Sequence, residues 1–473
     1  MNNLAFRSSK KVMMRLRQAW GGLLLLGLWL ACDQSFGATT TNLLAWNKTK
    51  DRVTADVRNW DLVGLLEEVA GQTGWNVFVE PDDNFKSSVK FKDLPSGEAL
   101  RQLLGEMNFA LMPQTNGVQR LYVFRTTMKN ATRPVWGNGI RRAAVAKRVP
   151  NELIVQVRPG TNIEELARQL GAKVVGHIPE LNAYRLQFED EEDVLGARKL
   201  LAANPEVTSV QDNFYVDRPQ SPQNLGMAAP ETKLTLDPPK GDNCKVVVGF
   251  VDTALQSLGP QLEPFVKERL TVTGEAAAPD QGLEPTHQTA MVNSFYQGMQ
   301  ASGRASTSVR VLSVDVFGNN TAANTFNVAA GMILAGNRGA TVINASLGGY
   351  GDSPLLRDAV KQLAQHNIPI FAAVGNDGSS TPFFPAAYPE VISVTAVERG
   401  KVATYANVGT QPDAGAPGTV VFSYNGLTYG SRGTSVSSAA AAGIAAGMAD
   451  GSCAPWSQVI PAVQKSLAVP ATQ

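Results

Sequence analysis

Four polar side chains occupy positions where predicted strands end or predicted helices begin. Asp252 ends the apolar run VVVGFVDT, and Asn376 follows the strand IPIFAAVGN. His287 begins a helix in THQTAMVNSF, and Ser435 opens the helix of GTSVSSAAAAGIAAG. Acyl transfer needs these groups: the serine attacks a carbonyl, the histidine takes its proton, and the aspartate orients the imidazole. The Asn376 amide and the Ser435 N–H would bind the developing oxyanion.

Each of these residues also has an ordinary structural interpretation. Ser435 and Asp252 could cap helices, because their side chains accept hydrogen bonds from free N–H groups. Asn376 lies in Asn-Asp-Gly, which is a strong turn signal. Taken singly, these interpretations are at least as good as the chemical ones, so the case for chemistry depends on the four residues lying together.

The chain contains three histidines, and the pattern around them favours His287 as a base. His177 lies in an earlier unit of the chain. His366 precedes the strand IPIFAAVGN, which puts it at the edge of the sheet opposite to the strand tips. A histidine base at those tips must therefore be His287.

The elements around these residues predict a parallel α/β sheet. From Asn243 onward, apolar runs such as KVVVGFVD, SVRVLSVDVF, ATVINASLGG and VISVTAV alternate with helical segments. Continuous apolar strands that alternate with helices are typical of parallel sheets covered on both faces. Functional groups gather beyond the carboxyl ends of such strands. The four candidate residues are therefore expected on one rim.

The ordered motifs VVVGFVDT, THQTAMV, VINASLGG, AAVGNDG, GAPG and GTSVSSAAAAG resemble the successive signatures of subtilisin-like serine proteases over roughly residues 242–470. The resemblance implies a three-layer α/β/α fold and endopeptidase activity on polypeptides. It implies a triad of Asp252, His287 and Ser435, with Asn376 as the oxyanion donor. Three further residues match the family's substrate-binding strand, which pairs with a peptide backbone: Ser346, Leu347 and Gly348.

Four positions depart from the family's pattern. Ala254 stands where a glycine is usual, and Gln288 follows the triad histidine in place of glycine. Ala439 and Ala440 replace a Pro-His pair in the serine helix. A glutamine beside the histidine could crowd the cleft. A pseudoprotease that serves as a binding or scaffold protein is therefore the alternative hypothesis. No metal or other cofactor is predicted, because Asp377 and Asp413 are isolated.

The positions of two cysteines relative to the predicted strands and helices favour a disulfide. Cys244 and Cys453 remain if a signal peptide carrying Cys32 is removed, and an exported chain can oxidise two thiols to a disulfide. Cys244 precedes the Asp252 strand, and Cys453 follows the Ser435 helix, so both are expected at the far edge of the sheet. We predict a Cys244–Cys453 disulfide; two inert thiols are the alternative.

The charge balance argues against a nucleic-acid-binding protein, and the N-terminal segment indicates export. Lys and Arg total 42 and Asp and Glu 41 among 473 residues, so no charge excess indicates a nucleic-acid partner. Basic residues precede GGLLLLGLWLAC, which predicts a signal peptide over residues 1–37 with cleavage before Ala38. Lipidation at Cys32 and an uncleaved anchor are alternatives. All three export the chain to the periplasm, outer envelope or medium.

Two small α+β units are expected before the catalytic domain, which spans 241–473. Residues 45–126 resemble the short N-terminal domain of secretins and TonB-dependent receptors, which implies docking to an envelope protein; a spacer is the alternative. A linker at 127–148 follows. Residues 149–216 have a ferredoxin-like pattern that resembles subtilisin propeptides, implying an intramolecular inhibitor. The segment 217–240 is a linker with the expected maturation site.

Overall fold

The computed structural model describes residues 42–47, 50–80, 85–112, 119–128, 131, 133–135, 144–226, 233–238, 244–274 and 284–470. The predicted signal peptide and Cys32 lie outside these ranges. Within them, no helix combines the length and apolar character needed to cross a bilayer.

The first unit has its own hydrophobic core, built from residues between Leu44 and Val135. Its elements are β1 (Leu43–Asn47), β2 (Arg52–Asp61), α1 (Leu62–Thr73), β3 (Asn76–Val79), β4 (Lys86–Leu94), α2 (Ser96–Leu104), β5 (Asn108–Met112), β6 (Arg120–Phe124) and β7 (Arg133–Val135). They form two sheets, ordered β1-β2-β4 and β5-β6-β3-β7. β7 lies within the segment predicted as a linker, because it pairs with β3 at the sheet edge.

The second unit is a ferredoxin-like sheet with two helices. Its elements are β8 (Arg148–Val157), α3 (Ile163–Gln169), β9 (Lys173–Ile178), β10 (Ala183–Gln187), α4 (Glu191–Ala203) and β11 (Val207–Asp217). One face of the sheet packs on α3 and α4. The other face contributes Ile154, Ile178, Ala183 and Val216 to a core of the third unit. This prodomain-like unit is therefore seated on its neighbour through apolar contacts.

The segment between the second and third units is not wholly irregular. It contains β12 (Gln223–Asn224) and β13 (Thr235–Leu236), two-residue strands inside the predicted 217–240 linker. Both pair with strands of the third unit, so external backbone partners order a stretch that lacks an apolar pattern of its own.

The main sheet of the third unit has parallel strands except for the short β22. The strands of the whole unit are β14 (Val247–Asp252), β15 (Val266–Thr271), β16 (Ser306–Thr307), β17 (Arg310–Asp315), β18 (Ala322–Asn324), β19 (Val342–Ala345), β20 (Ile370–Ala373), β21 (Val391–Glu398), β22 (Lys401–Val402), β23 (Ala414–Pro417), β24 (Thr419–Tyr424) and β25 (Leu427–Arg432). The main sheet runs β15-β17-β14-β19-β20-β21-β22, with β23 also beside β21. β24 and β25 form an antiparallel hairpin.

Helices cover both faces of this sheet. They are α5 (Gly259–Leu262), α6 (His287–Ala301), α7 (Thr325–Asn337), α8 (Pro354–Gln365), α9 (Thr434–Ser452) and α10 (Trp456–Ser466). α6 and α9 share one core with one sheet face, and α7 and α8 share another core with the opposite face. The third unit therefore has the expected α/β/α layers.

Two glycines let α6 and α9 approach closely. A Cβ added at Gly298 would lie 2.3 Å from the Ala440 carbonyl oxygen, and one at Gly443 would lie 2.0 Å from the Phe295 carbonyl oxygen. Larger residues at either position would push the helices apart. Because α6 begins at His287 and α9 carries Ser435 in its first turn, this contact sets the spacing of the two residues.

Candidate active site

His287 and Asp252 are held together by the ends of two elements. Asp252 ends β14 and has no exposed surface, while His287 is the first residue of α6 and is 4% exposed. His287 Nδ1 lies 2.8 Å from Asp252 Oδ1 and 2.9 Å from Oδ2. An ionised carboxylate only accepts hydrogen bonds, so this contact puts a proton on Nδ1 and leaves Nε2 as the basic nitrogen.

A second set of contacts joins residues 254–256, which follow β14, to the start of α6. Thr286 caps α6 by accepting from Thr289 N, and its hydroxyl donates to the Ala254 carbonyl at 2.8 Å. Gln256 Oε1 accepts from Thr286 N at 2.7 Å. No local sequence pattern separates Gln256 from other polar loop residues, so only the structure reveals its role.

Gln288 points away from the cleft. It is fully buried, and its Oε1 accepts from the Ser313 hydroxyl on β17 at 2.9 Å. Its backbone N–H donates to Thr253 Oγ1. The expectation that Gln288 could crowd the cleft is therefore wrong, since the first turn of α6 directs this side chain toward the sheet.

Ser435 lies in the first turn of α9 and is 8% exposed. Its hydroxyl donates to the Ser346 carbonyl at 2.8 Å, and the Ser346 hydroxyl donates to the Ser435 carbonyl at the same distance. Among the hydrogen bonds of the described residues, none joins Ser435 Oγ to His287.

Asn376 follows β20 and faces the start of α9. Its Oδ1 accepts from Thr434 N at 2.8 Å and from Thr434 Oγ1 at 3.0 Å. Gly433 has φ +151°, and a Cβ there would lie 3.0 Å from Asn376 Nδ2. The amide NH₂ is thus the donor end beside the Ser435 turn. Thr434 is a second positioning residue that the sequence analysis did not identify.

The segment Ser346–Gly348 continues from β19 and is buried. Ser346 Oγ accepts from Asn344 Nδ2 at 2.9 Å, and Asn344 Oδ1 accepts from Ser438 Oγ of α9 at 2.8 Å. Gly349 forms an antiparallel bridge with Phe384. These contacts tie the predicted substrate-binding residues to the helix that carries Ser435.

A disulfide joins Cys244 and Cys453, whose Cα atoms are 4.9 Å apart. Cys244 precedes β14, and Cys453 caps the C-terminus of α9. Asp252 and Ser435 stand at the other ends of the same two elements. The disulfide therefore lies on the far side of the sheet from these residues.

Comparison with known proteins identifies the class. A model of the subtilase family matches residues 244–459, and a model of the fervidolysin N-terminal prodomain matches residues 138–213. Subtilisin DY of Bacillus licheniformis is 35% identical over 215 residues, which cover 44% of this chain and 77% of the relative. The chain belongs to the subtilase family of serine endopeptidases and carries a prodomain.

Two further relatives extend the match toward the prodomain. A thermophilic serine proteinase of Bacillus sp. strain AK1 is 28% identical over 311 residues, or 63% of this chain and 77% of that protein. The crystal structure of fervidolysin from Fervidobacterium pennivorans superimposes with a TM-score of 0.52 and 19% identity. That match covers 68% of this chain and 57% of fervidolysin, and it shows a shared fold.

Proposed function

We propose that Asp252, His287 and Ser435 form the catalytic triad of an exported serine endopeptidase that is made as a zymogen. The 2.8 Å contact between His287 Nδ1 and Asp252 Oδ1 carries this proposal, because it selects the imidazole tautomer that a base requires. Ser435 attacks the peptide carbonyl while Nε2 accepts its proton. The imidazolium then protonates the leaving amine, and water hydrolyses the acyl-enzyme by the same route.

Asn376 and the Ser435 N–H stabilise the oxyanion. Both are donors beside the nucleophile, and the N–H lies at the N-terminus of a 19-residue helix, where free amides favour negative charge. The peptide pairs with Ser346–Gly348 as an added strand. The Ser346 carbonyl that now accepts from the Ser435 hydroxyl belongs to this strand, so a paired peptide would lie directly beside the nucleophile.

The prodomain inhibits the enzyme by occupying its surface beside the site. Asn213 Oδ1 accepts from Thr325 Oγ1 and from Phe326 N at the start of α7. Gln211 Oε1 accepts from Ser353 Oγ and from Leu355 N at the start of α8. Free N–H groups at helix starts need acceptors. The prodomain supplies them for both helices, which supports a role in folding as well as inhibition.

The chain after the prodomain runs from β18 to β25 of the catalytic unit. Tyr215–Asp217 pair antiparallel with β18, and Arg218 N donates to the Thr321 carbonyl. Gln223–Asn224 then pair with β25, the strand that leads to Ser435. Residues 218–222 must span the distance between β18 and β25. This path supports self-cleavage within the 217–240 segment.

Maturation tests the proposal directly. We would follow residues 38–473 by electrophoresis after export, beside Ser435→Ala. Ser452→Ala is the matched control, since it removes an exposed hydroxyl at the C-terminal end of the same helix, whose partner is the Met448 carbonyl. Splitting of the wild type and the control within 217–240, with an intact Ser435→Ala chain, is the expected result.

A pseudoprotease remains the second candidate, and one contact favours it: the Ser435 hydroxyl donates to Ser346 instead of His287. A fluorophosphonate probe distinguishes the two functions. Labelling that Ser435→Ala abolishes supports the enzyme. A folded chain that is neither cleaved nor labelled supports the scaffold function.

Export and envelope docking belong to the same proposal. The basic and apolar N-terminus supports removal of residues 1–37, and the disulfide suits an oxidising compartment. Docking through residues 45–126 is supported by the separate core of that unit, which lets it act as a module. The N-terminal mass of the exported chain tests cleavage before Ala38. Capture of an envelope protein by the full chain, lost on deletion of 45–126, tests docking.

A further inference from the structure

The side chain of Phe383 occupies the gap between the two segments that flank the nucleophile. One segment is Ser346–Gly348, and the other runs from Val374 to Asn376. A Cβ added at Gly348 would lie 2.5 Å from Phe383 Cε1, and one at Gly375 would lie 3.2 Å from Phe383 Cγ. The ring therefore contacts a glycine on each side of the gap.

Contacts at its edge hold this ring in place. The Tyr350 ring packs edge-on against Phe383, with centroids 5.1 Å apart. The Tyr350 hydroxyl donates to Asp377 Oδ2 at 2.5 Å and accepts from Asn407 Nδ2 at 3.1 Å. Tyr350 belongs to the Ser346 side and Asp377 to the Asn376 side. Their hydrogen bond thus bridges the gap beside the ring.

The reaction geometry assigns a role to this gap. This step rests on the proposed function. Consider a substrate that pairs with Ser346–Gly348 and whose reacting carbonyl lies between Ser435 and Asn376. The side chain of the residue that carries this carbonyl then points into the space between the two segments. That side chain belongs to P1, the residue on the N-terminal side of the cleaved bond. The Phe383 ring occupies the space between the two glycines, with the Phe384 carbonyl oxygen also beside Gly348 and Asn407 Nδ2 beside Gly375.

We propose that Phe383 determines specificity by closing the P1 pocket, so that the enzyme cleaves after small residues such as glycine, alanine and serine. A large P1 side chain would have to displace a ring that is packed between two backbone segments and braced by Tyr350. A difference of one methylene group in a hydrophobic pocket already changes kcat/KM by roughly 10–200-fold.

The test uses the processed enzyme and peptides that differ only at P1. The expected kcat/KM for P1 alanine exceeds that for P1 phenylalanine by at least about 10-fold. In Phe383→Ala, the ratio of phenylalanine to alanine cleavage should rise by about 10-fold or more. Trp456→Ala is the matched control, because this partly buried ring lies at the start of α10, on the far side of the sheet from Ser435, and the P1 ratio of this variant should stay at the wild-type value.

Three results would overturn the assignment. The first is wild-type cleavage after phenylalanine as efficient as after alanine, which needs no variant. The second is an unchanged P1 ratio in Phe383→Ala when a fluorophosphonate still labels Ser435; Phe383→Leu repeats this comparison if the alanine variant does not fold. The third, absence of both labelling and cleavage in the wild type, overturns the proposed function itself and is thereby distinguishable from failure of the pocket assignment.

Discussion

Asn376 and Thr434 are joined by two hydrogen bonds that determine which end of the Asn376 amide faces Ser435. The Asn376 Oδ1 atom accepts from both the backbone N–H and the hydroxyl of Thr434. Since the oxygen is engaged, the NH₂ group is the end available to an oxyanion. The residue before the nucleophile thus orients a donor that lies 58 positions earlier in the chain.

Asn376→Ala should lower kcat by about 100- to 1000-fold, roughly 2.7–4 kcal/mol, with little change in KM. The reason is that the lost hydrogen bond strengthens only as negative charge develops. Steady-state kinetics on a peptide substrate measures both constants. Thr434→Ser keeps both donors and serves as the control, with kcat expected close to wild type. A loss confined to KM in Asn376→Ala would contradict the oxyanion role.

Gln211→Ala should weaken retention of the prodomain after cleavage. The substitution removes the acceptor for Leu355 N and Ser353 Oγ, and loss of a helix-capping acceptor costs about 1 kcal/mol, or about fivefold in affinity. The lag before a processed sample hydrolyses added peptide should shorten accordingly. Gln169→Ala is the control, because Gln169 is exposed and its side-chain amide donates to Glu165 of its own helix. Equal lags in the two variants would count against the capping argument.

Replacing both cysteines, Cys244→Ser with Cys453→Ser, should destabilise the catalytic unit by about 2–5 kcal/mol. The disulfide closes a loop with a sequence separation of 209, which restricts the unfolded chain strongly. We would measure the thermal midpoint in a Ser435→Ala background, where self-digestion is absent. The thermal midpoint should decrease by at least about 4 °C. Addition of a reductant should lower the midpoint of the Ser435→Ala protein but not that of the variant without the two cysteines. A midpoint that neither treatment changes would argue against the disulfide.

Tyr296→Phe should stabilise the protein, whereas Tyr388→Phe should destabilise it. The buried Tyr296 hydroxyl has no hydrogen-bond partner within the described ranges, so its removal relieves a desolvation penalty of about 1 kcal/mol. The Tyr388 hydroxyl donates to the Ser353 carbonyl at 3.0 Å, and its loss should cost about 1 kcal/mol. Denaturant unfolding of the two variants in the Ser435→Ala background gives the comparison. Equal shifts would contradict it.

Tyr296 also predicts how stability changes with pH. Burial raises the pKa of Tyr296 well above its ordinary value of 10.0. Above about pH 10 the unfolded chain loses the phenolic proton while the folded chain keeps it, so stability falls as pH rises. Tyr296→Phe should show a smaller decline between about pH 10 and 11. An identical pH profile in both proteins would refute this contribution.

Sequence alone predicted the elements that local patterns encode. Apolar strands ending at Asp252 and near Asn376, and helices starting at His287 and Ser435, follow from hydrophobic runs and helix-start signals. The pattern analysis did not include the strand Arg52–Asp61, although Val53, Ala55 and Val57 alternate with less buried residues, as expected for a strand with one buried face. The location of the site at one edge of the sheet could also be predicted, because the carboxyl ends of all strands in a parallel sheet meet at the same edge.

Tertiary structure decided which side chains meet across long sequence distances. The direction of Gln288, the acceptor of the Ser435 hydroxyl and the capping of α8 by Gln211 depend on packing between separate elements. The Phe383 ring fills a gap lined by two glycines that lie 27 positions apart, and nothing in the sequence near Phe383 indicates that gap. Local periodicity specifies the face of an element, whereas the partner of a side chain depends on how whole elements pack.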